Sequence, residues 1–130
     1  MSTPDAIRRT VLVVDDDEAV RQVAAVILGE LGFQVFEASN AEDALVILRA
    51  PNPVQLLLTD LAMPGVGGVE LAHLARRLRP DLKVLYTSAY VRMSESSPAL
   101  RYGPLIEKPW MLEQLKAVIE KLLQPDAEPT

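Results

Sequence analysis

Residues 54–60 have the sequence VQLLLTD, an apolar run that ends in an aspartate. Such a run is typical of a strand buried on both faces, as in a parallel sheet covered by helices. If neighbouring parallel strands end in polar residues, those residues meet at one edge of the sheet, where open α/β folds place their ligands. Three further apolar runs end in this way: Val11–Val14 before Asp15, Asp16 and Asp17, Val84–Thr87 before Ser88, and Leu105–Glu107 before Lys108.

Strands and helices alternate along the sequence, which favours parallel βαβ units with right-handed crossovers. Apolar residues at helical spacing, cap residues and prolines set the boundaries. The predicted strands are Thr10–Val14, Phe33–Ala38, Val54–Thr59, Lys83–Thr87 and Leu105–Glu107. The predicted helices are Asp17–Leu31, Ala41–Arg49, a third that ends near Leu78, and Met111–Leu123, with a short or frayed helix expected between Val91 and Gly103.

The size and composition fit a single soluble domain. A chain of 130 residues, 49% of them hydrophobic, can bury a real core. No apolar stretch reaches the ~20 residues of a membrane span, and no cysteine is present to form a disulfide. We therefore expect a cytoplasmic domain over residues 10–123, an N-terminal extension at 1–9 and a disordered tail at 124–130.

The charge pattern argues against nucleic acid or an anionic membrane as a direct partner. The net charge is −5, and the sequence contains no block of basic residues, which both of these partners would need. Arg76, Arg77 and Arg79 form the densest basic group, and we expect them at the solvated end of one helix.

Carboxylates that crowd one site repel each other unless a cation lies among them. Asp15, Asp16 and Asp60 therefore indicate a site for a hard divalent ion such as Mg²⁺, which takes one or two carboxylates together with water and phosphate oxygens. Lys108 can pair with a phosphoryl oxygen, and the Ser88 hydroxyl can donate to another. With its charge shielded, a carboxylate can attack phosphorus and form an acyl phosphate.

These motifs, taken in their order and spacing, resemble the receiver domain of two-component response regulators, of the chemotaxis-regulator type. The resemblance extends from about Val11 to Leu123. It implies a doubly wound, flavodoxin-like fold with a five-stranded parallel sheet in the order 2-1-3-4-5. The motifs that carry it are Val13–Asp17, Thr59–Asp60 followed by Met63–Gly65 and Gly68, Thr87–Ala89, and Lys108–Pro109.

The resemblance also implies a role for each residue of the site and a cis peptide bond between Lys108 and Pro109. The implied roles are Asp60 as the phosphoacceptor, Asp16 as a direct metal ligand, Asp15 as a ligand through a metal-bound water, the Ala62 carbonyl as a further ligand, Ser88 as the hydroxyl that follows the phosphoryl group, and Lys108 as its counterion.

By the same resemblance, a histidine kinase or phosphotransfer protein donates the phosphoryl group in a Mg²⁺-dependent phosphorelay step. The phosphoprotein then changes the face made by the fourth helix, the last strand and the last helix, where a downstream protein binds. Such a domain catalyses its own phosphorylation and dephosphorylation, but it is a signalling switch rather than an enzyme. Dimerisation stays open, and so does the choice between a stand-alone regulator and the receiver of a hybrid kinase.

Two positions depart from the family pattern. Leu105 stands where the family usually has a switch aromatic, so coupling to the output face must differ; Tyr90 and Tyr102 are candidate substitutes. Gly67 replaces a frequent acid and predicts a mobile loop. Ala62 and Tyr90 would flank the acyl phosphate, and because Ala62 cannot orient a water, we expect slow self-dephosphorylation.

Two other functions stay open. A binding module could keep the fold without phosphoryl transfer, as Leu105 and the weak fourth helix suggest. A phosphohydrolase with an aspartyl nucleophile usually has a second acid two residues further on, where this chain has Ala62.

Some residues also have simple structural interpretations. Asp17 and Glu18 suit the start of a helix, where acids complement free N–H groups. His73 has no cysteine or second histidine to complete a metal site, so we expect a solvated or partly packed side chain. For Trp110 and Met111 we expect packing in the core or at its edge.

Overall fold

The computed structural model describes residues 9–89 and 100–123, which fold as an α/β sandwich around one parallel sheet. The strands lie in the order β2-β1-β3-β4-β5, which confirms the predicted doubly wound topology. In chain order the elements are β1 (Thr10–Val14), α1 (Glu18–Glu30), β2 (Gln34–Ala38), α2 (Ala41–Arg49), β3 (Val54–Asp60), α3 (Gly68–Leu78), β4 (Lys83–Ser88), β5 (Leu105–Glu107) and α4 (Leu112–Leu123).

The core has two halves, one on each face of the sheet. Residues that alternate along a strand point to opposite faces, so the central strands β1 and β3 contribute to both halves. On one face α2 and α3 pack through small residues such as Ala44 and Ala72. On the other face α1 and α4 pack through Leu28, Leu115 and neighbouring residues. All five residues of β1 are buried, as expected for a strand covered on both faces.

The strand register brings the carboxyl ends of the strands to one edge. Asp60 of β3 lies opposite Thr87 of β4, and Ser88 lies opposite Glu107 of β5. β3 and β4 each extend one residue beyond their predicted ends, to Asp60 and Ser88. The two polar residues are therefore held by the sheet itself.

Local capping explains where the first two helices begin. The Asp17 side chain accepts hydrogen bonds from the backbone N–H groups of Ala19 and Val20 and so caps α1, as its position predicted. The Asn40 side chain does the same for α2 by accepting from the Asp43 N–H at 2.8 Å. After α1 the chain turns at Gly32 with φ of 96°, a left-handed conformation that glycine adopts without a Cβ clash.

The expectation that Arg76, Arg77 and Arg79 form a solvated helix end holds for Arg77, which is exposed, but not for Arg76, whose Nε is buried, and it is wrong for Arg79. Its guanidinium reaches across to the connection between α2 and β3, where a proline-rich turn leaves carbonyl oxygens without ladder partners. A planar guanidinium with five donors can satisfy several of them at once. It donates to the carbonyl oxygens of Leu48, Ala50, Asn52 and Val54 and to the side-chain oxygen of Asn52, at 2.8 to 3.2 Å.

Several expectations concern residues outside the described ranges. These are the N-terminal extension, most of the helix expected between Val91 and Gly103, the ring of Tyr90 and the tail at 124–130. Within the described ranges, no helix has the length and apolar character that crossing a membrane requires.

Candidate functional site

The side chains predicted to form the site do meet at the carboxyl edge of the sheet. Asp15 follows β1, Asp60 ends β3, Ser88 ends β4 and Lys108 follows β5. Backbone hydrogen bonds continue beyond the strands and fix these positions. The Leu61 N–H donates to the Thr87 carbonyl oxygen and the Lys108 N–H to the Ser88 carbonyl oxygen, both at 2.9 Å. The geometry is therefore a consequence of the strand order.

Three carboxylates form the acidic part of the site. Asp15, Asp16 and Asp60 each offer one oxygen, and these oxygens lie within 4.8 Å of one another. Asp15 and Asp60 are buried, with exposed fractions of 2% and 6%, whereas Asp16 is exposed. Two acids are thus held in the protein while the third faces solvent.

Lys108 is the cation that balances the two buried acids. Its Nζ lies 2.8 Å from Asp15 Oδ2 and 3.2 Å from Asp60 Oδ1. Burial by itself lowers the pKa of Lys108, but the hydrogen bond to Asp15 and the charges of Asp60 and Asp15 outweigh burial and raise the pKa above its ordinary value. Lys108 is therefore a stable ammonium at neutral pH.

For Asp60, unlike Lys108, burial outweighs the attraction of the neighbouring opposite charge. Burial raises the pKa of Asp60, the charge of Lys108 lowers it, and the carboxylate of Asp15 raises it again, so the net shift is upward. The ionised form of Asp60 is consequently the one that gains from added positive charge.

This donor set fits a hard divalent cation. Carboxylate oxygens are the ligands that Mg²⁺ prefers, and one or two carboxylates are usually enough, with water or phosphate oxygens completing the octahedron. Asp15 and Asp16 can supply them, together with Asp60. The Ala62 side chain is exposed beside the site, and a role for its carbonyl oxygen remains a prediction.

The segment after β5 has the form expected from the resemblance, because the peptide bond between Lys108 and Pro109 is cis. Trp110 packs partly buried against the core half formed by α1 and α4, which confirms the expected packing. The same expectation is wrong for Met111, which lies just before α4 with an exposed fraction of 70%. The indole N–H of Trp110 also donates to the Thr87 hydroxyl at 2.9 Å, a bond that sequence reasoning missed. Trp110 thereby ties the loop that carries Lys108 to the strand that carries Ser88.

Sequence reasoning also missed two supports of the acidic cluster. Arg21 donates through Nη1 to the Asp15 carbonyl oxygen at 2.9 Å and pairs with Glu37 at 3.3 Å. Gly68 brings the start of α3 so close to β3 that a Cβ would lie 2.2 Å from the Asp60 carbonyl oxygen. The helical position of Arg21 and the glycines of the loop can be recognised in the sequence. The sequence does not show which backbone atom Arg21 or Gly68 approaches.

Leu105 is buried, and a ring lies on the neighbouring strand. Tyr86 is directly opposite Leu105 in the register of β4 and β5 and is fully buried. Burial raises the pKa of Tyr86. Tyr102, one of the two substitutes considered, is half-buried and packs on the same side of the sheet. Tyr86 was not considered, because its place beside Leu105 depends on strand pairing.

An apolar groove opens beside the acidic site. Its larger part has a volume of about 550 Å³ and is lined by Ala19, Val20, Val23, Ala89, Lys108, Pro109 and Trp110. A second part of about 450 Å³ continues along α1 past Val26. Val23 and Val26 have exposed fractions of 52% and 61%. The two valines leave an apolar strip exposed on the face of α1.

Comparisons with known proteins agree with this geometry. The family model described as response regulator receiver domain matches residues 11–120. Response regulator receiver protein CpdR of Brucella abortus is 33% identical over 117 residues, which are 88% of this chain and 97% of CpdR. Sensor kinase CckA of the same organism is 30% identical over 118 residues, which make up 88% of this chain but only 12% of CckA. The crystal structure of response regulator TrrA of Thermotoga maritima in complex with Mg²⁺-BeF superposes with a TM-score of 0.81 at 30% identity, covering 88% of this chain and 99% of TrrA.

Proposed function

Because the chain belongs to the response regulator receiver domain family, we propose that it is a phosphorylation-dependent switch that carries a phosphoryl group on Asp60. The observation that supports this most strongly is the position of Asp60, at the end of β3 with Lys108 Nζ at 3.2 Å from its carboxylate. A nucleophile, a counterion and an acidic cluster for a metal are then present in one site. We further propose that residues 10–123 form the complete receiver.

In the proposed step an oxygen of Asp60 bonds to phosphorus while the P–N bond of a phosphohistidine breaks. The electron pair of that bond stays on the imidazole nitrogen of the donor, which takes up a proton. The product is an acyl phosphate on Asp60. Lys108 exchanges its contacts with Asp15 and Asp60 for a phosphoryl oxygen, and Ser88 donates its hydroxyl to another.

Asp15, Asp16 and Asp60 would hold the Mg²⁺, with the Ala62 carbonyl oxygen as a further ligand. When bound, Mg²⁺ supplies positive charge between the carboxylates and the incoming phosphate. The upward shift in the pKa of Asp60 supports this assignment, because the ionised nucleophile needs more positive charge than Lys108 alone provides.

The phosphodonor would be a histidine kinase or a phosphotransfer protein. Its phosphohistidine must approach Asp60, so the donor must cover the surface around the acidic site. The groove formed by α1 and Trp110 borders Lys108 and exposes Val23 and Val26. This apolar surface is suited to a helix of the donor protein.

The output would run through β5, α4 and the segment that precedes β5, in a cytoplasmic two-component pathway, with or without dimerisation. Because Leu105 lacks a ring, the change must pass through other residues. Tyr86 lies opposite Leu105 and Tyr102 lies nearby, so both are candidates.

Incubation with phosphoramidate and Mg²⁺, followed by intact mass spectrometry, tests the proposal. We expect the mass of one phosphoryl group to be added to the wild-type chain, and none to Asp60→Asn, which retains the shape of the side chain. Omission of Mg²⁺ should suppress the reaction. If the wild-type chain gains no mass, the phosphotransfer proposal fails.

That negative result would favour the second candidate, a binding module without phosphoryl transfer. Leu105 is the observation that motivates it, because the position usually occupied by the switch aromatic is filled by a buried aliphatic side chain.

A further inference from the structure

Two arginine side chains are arranged around one tyrosine ring on the α3 side of the sheet. The guanidinium carbon of Arg76 lies 5.1 Å from the centre of the Tyr102 ring, and that of Arg101 lies 5.0 Å from it. Arg76 belongs to α3, whereas Arg101 and Tyr102 precede β5. Contacts of this length are cation–π interactions, which hold a guanidinium against a ring face.

Hydrogen bonds orient the same group. Arg101 Nη2 donates to the Tyr102 hydroxyl at 3.0 Å, and that hydroxyl lies 2.9 Å from Nδ1 of His73. Nε of Arg76 is buried without a hydrogen-bond partner. The two guanidinium groups are thus held in place before any ligand arrives, which lowers the entropy lost on binding.

The positive charge of this group is not compensated within the described residues. The ion pairs found there join Arg21 with Glu37, and Lys108 with Asp15 and Asp60, and none of them includes Arg76 or Arg101. The whole chain has a net charge of −5, so acids are plentiful. Because no described acid pairs with these two guanidinium groups, their like charges repel each other, and an incoming anion would relieve that repulsion.

We propose that His73, Arg76, Arg101 and Tyr102, hereafter the Tyr102 patch, bind a glutamate- or aspartate-rich segment of a partner protein. A guanidinium presents paired N–H donors that match a carboxylate, so two fixed guanidinium groups suit two acidic side chains. The half-buried ring between them gives the segment an apolar surface to lie on.

The Tyr102 patch is distinct from the groove beside the acidic site. α3 packs on one face of the sheet, and α1, which lines the groove, packs on the other. A partner on the Tyr102 patch therefore leaves the approach to Asp60 uncovered. The proposal does not depend on phosphoryl transfer, and the two can fail separately.

Fluorescence anisotropy of a labelled peptide of alternating glutamate and alanine tests the proposal at low salt. We expect the double variant Arg76→Gln/Arg101→Gln to bind the peptide about fivefold more weakly than the wild type, the effect of two partly exposed charge contacts. The matched control, Arg49→Gln/Lys121→Gln, removes the same charge from exposed sites of α2 and α4. An equal loss in the control would show attraction by net charge alone and would overturn the proposal.

Tyr102→Leu separates arrangement from charge, because it keeps both arginines and removes the ring that holds them. Weakened binding supports the proposal, and wild-type affinity overturns it. Amide shifts of the wild-type chain, titrated with the same peptide, give a test that does not depend on the folding of any variant. The shifts should centre on residues 73, 76, 101 and 102, and shifts confined to other surfaces would contradict the assignment.

Discussion

The surroundings of Asp60 raise its pKa above the ordinary value, whereas the step proposed for this residue needs the carboxylate. Burial and the charge of Asp15 raise its pKa, and the charge of Lys108 only partly offsets them. The folded protein therefore binds this proton more tightly than the unfolded chain does. Ionised Asp60 therefore lowers the free energy of unfolding, and a bound cation would offset this loss.

Asp60→Asn is expected to stabilise the protein at neutral pH. Because the pKa of Asp60 is raised on folding, its contribution is most favourable below the unfolded pKa of about 3.9 and is lost as the pH rises through the folded value. Asparagine does not ionise, so the free energy of unfolding of the variant should exceed that of the wild type by about 1 kcal/mol at pH ~7, the scale of one like-charge contact. Urea unfolding at acidic and neutral pH measures it. A variant less stable than the wild type at neutral pH would contradict the sign.

Ala62→Asn is expected to shorten the lifetime of the acyl phosphate. Ala62 is exposed beside Asp60 and has no polar atom with which to hold a water, whereas the asparagine amide could orient one. We expect hydrolysis about fivefold faster, equivalent to one hydrogen bond of about 1 kcal/mol. The decay of the phosphorylated mass after removal of the donor gives the rate.

The control is Ala62→Val, which adds bulk without a polar atom and should not accelerate the decay. Hydrolysis of the wild-type acyl phosphate within seconds, or equal rates for wild type and Ala62→Asn, would count against the slow lifetime expected for this chain.

At the scale of elements, Arg79 joins α3 to the connection between α2 and β3. Four of its five hydrogen bonds go to backbone carbonyl oxygens between the last turn of α2 and the first residue of β3, and the fifth goes to the side-chain oxygen of Asn52. This connection leads directly into β3, the strand that ends in Asp60. The hydrogen bonds of Arg79 therefore support the strand that positions the proposed nucleophile.

Arg79→Ala should lower the free energy of unfolding by about 2 kcal/mol, because several carbonyl groups lose a charged donor. Arg77→Ala is the control: Arg77 is exposed in the last turn of α3, just before Arg79, and should change stability by less than about 0.5 kcal/mol. Urea denaturation compares them. Equal effects for the two variants would show that the hydrogen bonds of Arg79 add nothing to the free energy of unfolding.

Sequence patterns predicted the elements well because each has a local cause. The strand β3 and the cap at Asp17 follow from residue types within a few positions. Arg79 was misjudged because its partners lie 25 to 31 residues away along the chain. A run of arginines in a sequence indicates charge, but it does not indicate which carbonyl groups the fold brings within reach.

At the scale of the whole molecule, the parallel sheet gathers the site from four strands. The order of strands was implied by family resemblance, and the structure confirms it. Long-range features were harder to predict. The contact between Trp110 and Thr87 and the place of Tyr86 beside Leu105 both depend on the pairing of β4 with β5. They could not be read from the residues of either segment alone.

Mg²⁺ should stabilise the whole fold through the acidic cluster. A ligand that binds only the folded state at ten times its Kd adds about 1.4 kcal/mol to the free energy of unfolding. We expect a higher thermal midpoint in Mg²⁺ than in EDTA for the wild type, and a reduced response for Asp16→Asn, which removes the exposed acid of the cluster. An identical midpoint with and without Mg²⁺ would exclude binding at the concentrations used.

Trp110 is the sole tryptophan of the chain, and its indole N–H bonds to the residue before Ser88. Tryptophan fluorescence, excited at a wavelength that tyrosine does not absorb, therefore comes from a single, known place beside the acidic site. Any event that moves the end of β4 or the turn after Lys108 alters the surroundings of that indole. The wavelength and intensity of this emission should therefore follow structural changes beside the acidic site without any added label.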